Sequence, residues 1–174
     1  KTGKYTLPRG DTCNMTATHV VKTTELLVLS SGVGNGEMAV LSGGNSKRLF
    51  IVQGKVVLVD LILEDGKPTS SGGGAIYAQT AKGKDSTTHL IRSIIRKCES
   101  SSGAVYAQSG AVLILEDSTL ESNKASTFGG GIAASSGAKI QIKGISSIKN
   151  NTAIGGGGIR LREKDTTLEI IGEG

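Results

Sequence analysis

Short apolar runs alternate with glycine, serine and asparagine along most of this chain. Lys139-Ile-Gln-Ile-Lys143 shows the local rule: every second side chain is aliphatic, as in a strand with one buried face. Helical periodicity is nearly absent. Its one candidate, residues 88–99, holds a β-branched cluster and falls in register with one of the strand series below.

The runs recur. Four segments share a start of glycine or a small residue followed by an aliphatic one: Gly73-Gly-Ala-Ile-Tyr-Ala78, Ser102-Gly-Ala-Val-Tyr-Ala107, Gly130-Gly-Ile-Ala-Ala134 and Gly157-Gly-Ile-Arg-Leu161. Their aliphatic positions Ile76, Val105, Ile132 and Ile159 are spaced by 29, 27 and 27 residues. A second series reads Gly110-Ala-Val-Leu-Ile-Leu115 and Gly137-Ala-Lys-Ile-Gln-Ile142, with Gly54-Lys-Val-Val-Leu-Val59 one coil before the first start. A third is Leu63-Glu-Asp-Gly66, Ile95-Arg-Lys-Cys98, Leu120-Glu-Ser-Asn123 and Ile148-Lys-Asn-Asn151.

One period thus holds three strands, too few for a propeller blade of ~40 residues and four strands. The expected fold is all-β: a right-handed parallel β-helix with three strands per coil of about 27 residues. A coil cannot bury its apolar face alone, so coils stack around a continuous aliphatic core. Gly73, Gly74, Gly130, Gly131, Gly157 and Gly158 are expected at corners, through positive φ or close backbone approach. Cys98, Asn123 and Asn151 share another corner, where asparagine tolerates the left-handed conformation and can form a side-chain ladder. One domain over residues 1–174 follows, irregular coils or a cap at 1–53 and regular coils at 54–174. Opening on Lys1 and stopping just after the strand-like run 167–171, the chain reads as a segment of a longer or processed one.

Composition narrows the picture. The 174 residues include no Trp, 3 Tyr and 2 Phe, so the core is aliphatic. The 26 glycines come with 2 prolines and no three-residue period, which excludes collagen. The net charge is +5, but the basic residues are scattered and stacking aromatics are scarce, so nucleic acid is not an expected partner. No apolar stretch approaches the ~20 residues of a membrane span, and no signal peptide is present. The two cysteines, Cys13 and Cys98, either form one bridge or are two small buried residues; the shared corner favours burial for Cys98.

The Gly-Gly-Ala-Ile motif at 73–76 and the aliphatic-x-x-Asn motifs at 120–123 and 148–151 resemble the repeats of the chlamydial polymorphic outer-membrane proteins. They are equally similar to pectate-lyase-like β-helices of bacterial and algal surface proteins. The likeness spans residues 41–171 and departs from the chlamydial motif where Leu120 and Ile148 replace its phenylalanine. It implies a secreted or surface-displayed protein, often an adhesive one.

Many β-helices are enzymes acting on acidic polysaccharides, which needs clustered carboxylates, often with Ca²⁺, and a base from neighbouring coils. The outward columns beside the glycine starts are Tyr77, Tyr106, Ala133, Arg160 and Gln79, Gln108, Ser135, Arg162, and neither holds an acid. Glu64-Asp65 and Glu116-Asp117 read as solvated turn and edge charges; His19 and His89 read as surface histidines without partners. No catalytic set, metal site or cofactor is therefore expected. Tyr77 and Tyr106 with Gln79 and Gln108 form a candidate sugar-binding face or a structural tyrosine ladder. Arg9-Gly10-Asp11 matches the integrin-recognition tripeptide, a match common by chance. Asn14 and Asn150 stand in N-glycosylation sequons. An outward threonine column, as an ice-binding surface would need, does not recur. The expected role is a non-catalytic extracellular structural or adhesive module, joined to neighbouring coils or subunits and binding carbohydrate if the Tyr–Gln face is used. The competing expectation is a polysaccharide lyase or epimerase whose acids lie elsewhere.

Overall fold

Period-two patterning interrupted by turn residues limits each strand to between 3 and 6 residues. Strands this short gain stability only by pairing with their counterparts in the next coil. The computed structural model, which describes residues 2–34, 36–81 and 84–172, shows that arrangement: every regular element among them is a strand, and all pairing is parallel. The first sheet stacks Thr2–Leu7, Leu26–Ser31, Lys55–Val59, Thr87–Ile91, Val112–Glu116, Lys139–Lys143 and Thr167–Ile171. The second stacks Thr12–Asn14, Ala39–Ser42, Leu61–Glu64, Ile94–Arg96, Thr119–Glu121 and Ser147–Lys149. The third stacks His19–Val21, Phe50–Val52, Ile76–Gln79, Val105–Gln108, Ile132–Ala134 and Ile159–Leu161. A two-stranded sheet, Glu99–Ser102 with Lys124–Phe128, lies between the second and third in chain order. The chain is an all-β parallel β-helix of about 6 turns.

The register follows the repeat. Ile76, Val105, Ile132 and Ile159 stand one above another, as do Leu63, Ile95, Leu120 and Ile148. The helix-like stretch at 88–99 is two strands: Thr87–Ile91 enters the first sheet, and Ile94–Arg96 takes its place in the second. The N-terminal segment 4–21 is a further coil and not a cap, its three strands pairing with those of the next coil.

Inside run columns of almost wholly aliphatic side chains. Val56, Leu58, Leu63, Leu113, Leu115 and Leu120 are all fully buried, each contributing about 1.5–3 kcal/mol. One column position is polar. Thr88 lies between Val56 and Leu113, fully buried, and its Oγ1 has no hydrogen-bond partner. Thr88→Val removes that unpaired hydroxyl at nearly constant shape, so it is expected to stabilise the fold by about 1 kcal/mol, read as a raised urea midpoint. An unchanged or lowered midpoint would mean that the hydroxyl is satisfied.

Two of the three corners turn on single left-handed residues, most of them not glycine. Between the first and second sheets these are Asp60, Arg92, Asp117 and Gly144; between the second and third, Asp65, Lys97, Ser122 and Asn150. The left-handed conformation is not where it was expected, whereas close approach, the other reason expected for the glycines, holds at most of them. Asn123 and Asn151 follow the left-handed residue and are not themselves left-handed. None of the six expected corner glycines has positive φ either; Gly72, Gly129 and Gly156, just ahead of each pair, do. Close approach of neighbouring coils, not backbone handedness, requires glycine at most of the six. A Cβ on Gly73 would stand 2.6 Å from the Tyr106 amide nitrogen of the next coil, besides 2.0 Å from the Ile76 carbonyl oxygen of its own, and one on Gly130 2.4 Å from the Gly157 carbonyl oxygen. Gly158 alone has ordinary room.

Candidate functional site on the third sheet

Alternation along the third-sheet strands sends Tyr77, Tyr106, Ala133 and Arg160 outward in one column. Pairing in register brings Tyr77 and Tyr106 face to face, with ring centroids 5.6 Å apart and planes 5° from parallel. Beneath Tyr77 lies the guanidinium of Arg48, 5.2 Å from the ring centre. Arg48 is buried, and its guanidinium donates to the carbonyls of Gly73 (2.7 Å), Ser71 (2.6 Å) and Ser70 (3.3 Å). It thereby ties the loop ahead of Gly73 to the preceding coil. Burial, together with the adjoining Tyr106, pushes the Tyr77 hydroxyl above its ordinary pKa, so it titrates only well into the alkaline range.

The amides are engaged with the same ladder. Gln108 Nε2 donates to the Tyr77 hydroxyl and, at 3.3 Å, to Oε1 of Gln79. The Tyr106 hydroxyl bonds Ser135 Oγ at 2.9 Å. Tyr77, Tyr106, Gln79 and Gln108 thus form one bonded cluster, with one face of Tyr77 covered by Arg48 and the other by Tyr106. At the next level Ala133 carries only a methyl group. There Phe128, at the end of the short strand Lys124–Phe128, approaches the face, and Arg160 and Arg162 stack on its ring at 4.0 and 5.4 Å. Together with Ser102, Tyr106, Ala133, Ala134 and Ser135 these residues line a recess of about 90 Å³. Arg48 and Phe128 do not stand out in the repeat pattern, because both lie outside the regular strand series. A wider open groove of about 480 Å³ runs between Lys67–Ser71 and the two-stranded sheet, lined largely by serines and crossed by the Lys67–Glu99 ion pair at 2.8 Å.

The corner of Cys98, Asn123 and Asn151 is a ladder of side-chain bonds. Asn123 Oδ1 accepts from the Cys98 amide at 3.0 Å, and Asn151 Oδ1 accepts from the Asn123 amide at 3.0 Å. The side-chain amides donate one coil back, Asn123 to the Ile95 carbonyl and Asn151 to that of Leu120. Burial raises the Cys98 thiol to about 12. Both cysteines are free, and Cys13 is exposed, which corrects the reading of two buried residues; about three coil spacings, ~14 Å, separate them, beyond disulfide reach. A maleimide at neutral pH is expected to modify one thiol per native chain, at Cys13, and the second only after denaturation. Equal labelling of both in the native state would contradict the buried corner.

The acids and histidines also require correction. His89 has a partner, Glu116, with Nε2 to Oε2 at 2.9 Å. Glu64 pairs with Arg96 at 2.7 Å, and Asp117 accepts from the Ile145 amide at 3.0 Å, so these acids are bonded and not merely solvated. Asp65 occupies a left-handed corner beside the Ser42 hydroxyl. Asp60 is held below the usual carboxylate range by hydrogen bonds from Arg92. His19 is exposed and packs edge-on against Phe50, ring centres 6.2 Å apart. Among the described residues no group of three His, Cys, Asp or Glu side chains could hold a metal ion, and no helix is long and apolar enough to cross a membrane. The Arg9 guanidinium is bound to the carbonyls of Gly32 and Gly36, so the Arg-Gly-Asp tripeptide does not present its arginine freely. Asn14 and Asn150 are both exposed. No protein-family model matches the chain, and comparison with curated proteins and with solved structures finds no match.

Proposed function

We propose that this chain is a non-catalytic extracellular module, a rigid rod segment that serves adhesion or surface coating. One observation carries the reading. All five ion pairs of the described residues join one coil to the next: Asp60–Arg92, Glu64–Arg96, Lys67–Glu99, His89–Glu116 and Glu121–Lys149. The acids of these pairs are divided among the first, second and two-stranded sheets and the Asp60 corner, and where two share a column, Glu64 and Glu121 of the second sheet, Arg96 stands between them and Lys149 beyond. Such pairs add little stability singly, about 0–1 kcal/mol each, but together they lock adjacent coils in register. The exposed sequons Asn14 and Asn150 agree with passage through a glycosylating secretory route.

The test is incubation of the purified chain with pectate and alginate, alongside binding of chain-coated beads to cell surfaces. No new reducing or unsaturated ends, with beads retained, is the expected result. Product formation that disappears in Glu116→Gln or Glu64→Gln would overturn the proposal in favour of a lyase.

A further inference from the structure

A sheet with one buried side normally shows polar side chains on the other. The first sheet does not. Between the buried Val56, Leu58, Leu90, Leu113 and Leu115, alternation turns Val57, Val59, Ile91, Val112 and Ile114 outward, and Leu26 and Val28 join them one strand earlier. In-register pairing brings these half-buried aliphatic side chains together on four successive strands. The outer face of those strands measures roughly 19 by 16 Å, about 300 Å², the scale of the functional patches on soluble proteins. Ser30, Lys55, Thr87 and Glu116 stand along its two edges. Only His89 breaks it inside, its Nε2 bonded to Glu116 at 2.9 Å.

The face is complementary to itself. A two-fold axis running along the strands, midway between Lys55–Val59 and Thr87–Ile91, lays Leu26–Ser31 over Val112–Glu116 of a second copy and Lys55–Val59 over the Thr87–Ile91 strand of that copy. Leu26 then meets Val112, Val28 meets Ile114 and Val59 meets Ile91. Val57 meets His89, while Ser30 and Lys55 meet the polar Glu116 and Thr87. One strand further out, Lys4 meets Gln141, and Lys139 and Lys143 meet Thr2 and Thr6. No charge stands directly opposite a like charge. The neighbouring placements lack this match: an axis one strand towards the C-terminus opposes Lys55 to Lys139, and one strand the other way leaves Val112 and Ile114 uncovered.

We propose that two copies of this chain pair face to face through their first sheets about this axis. The rods lie side by side with opposite polarity, their sheets about 10 Å apart as in a β-sandwich. Six strands of each copy are covered, about 460 Å² per copy and roughly 1,000 Å² in all, the lower end of specific interfaces. An isologous contact of this kind closes at two copies. A paired rod can be adhesive or not, so dimer formation and bead retention test separate claims.

Sedimentation velocity of the purified chain, from micromolar concentrations to about 1 mM, tests it. A monomer–dimer equilibrium with a Kd on the order of tens of micromolar is expected. Val28→Glu and Ile114→Lys are each expected to weaken the dimer roughly hundredfold while leaving the circular dichroism spectrum unchanged. An equimolar mixture of the two variants is expected to dimerise again, because each mixed dimer sets the new carboxylate against the new ammonium and keeps one unaltered Val28–Ile114 contact. Val28→Thr and Ile114→Thr, close in shape, are expected to weaken the dimer roughly tenfold and serve if a charged variant misfolds. Ile94→Lys, on the outer face of the second sheet between Ile62 and Thr119, is the control expected to leave the dimer intact. A chain that stays monomeric throughout, a dimer indifferent to Val28 and Ile114 substitutions, or an equal loss with Ile94→Lys would each overturn the proposal. So would a mixture that remains monomeric, which removes the two-fold pairing. Assemblies that grow beyond the dimer with concentration would overturn it in favour of contact through the ends of the stack.

Discussion

Alanine at Gly73 is expected to destabilise the fold by about 3 kcal/mol or more. The added Cβ would stand 2.0 Å from the Ile76 carbonyl oxygen, 2.6 Å from the Tyr106 amide nitrogen and 3.0 Å from the Ala104 carbonyl oxygen. All three are backbone atoms, and Ile76 and Tyr106 belong to strands paired between adjacent coils. A flexible side chain could swing aside; here the turn from Gly73 to Ile76 must rearrange and the Tyr106 and Ala104 backbone of the next coil must move away. For a chain of this size the loss corresponds to a fall in Tm of about 6–12 °C. Gly158→Ala is the matching control. Its Cβ would meet only the Ile148 Cγ2 at 3.6 Å, an ordinary contact, and its φ is not positive. It is expected to be close to neutral. Thermal melts of the two variants side by side distinguish close approach from a general intolerance of the Gly-Gly pairs; similar losses in both would refute the packing explanation.

Asn123→Ala is expected to cost about 2–4 kcal/mol, measured by urea denaturation. Asn123 is 1% exposed, and its side chain holds the Cys98 amide, the Ile95 carbonyl and Asn151 Oδ1. Alanine leaves the first two unpaired in a corner where water has little access. Asn151→Ala should cost roughly half as much, because Asn151 is only partly buried and water can replace part of its bonding. Equal losses at the two positions would mean that the ladder acts through local turn geometry and not through burial. Asn123→Asp adds a further check. It keeps the acceptor for Cys98 but sets a second acceptor against the Ile95 carbonyl, so it is expected to destabilise despite its shape.

Much of the third sheet could be read before the structure. The spacing of Ile76, Val105, Ile132 and Ile159 reports the register directly, because parallel strands in successive coils pair residue for residue. That register places Tyr77 over Tyr106, Gln79 beside Gln108, and Cys98, Asn123 and Asn151 at one corner. Pairing across the first and second sheets was harder to read. Asp60 and Arg92, like Glu64 and Arg96, are 32 residues apart, whereas His89 and Glu116 are 27 apart. Loops of unequal length between strands change the offset from coil to coil, so a single period does not identify cross-coil partners. The same irregularity concealed Thr87–Ile91 as the missing member of the first-sheet series.

The amino-acid sequence by itself determined the coil, its three strands and its aliphatic interior. Period-two alternation and recurring turn residues are local properties, and a repeated local pattern has one economical way to bury its apolar faces: stacking. Tertiary structure alone decided which residue at each corner takes the left-handed conformation and which acid meets which base. It also decided what the glycines are for. Their role depends on the distance between one coil's backbone and the next, and that distance exists only once the stack has formed.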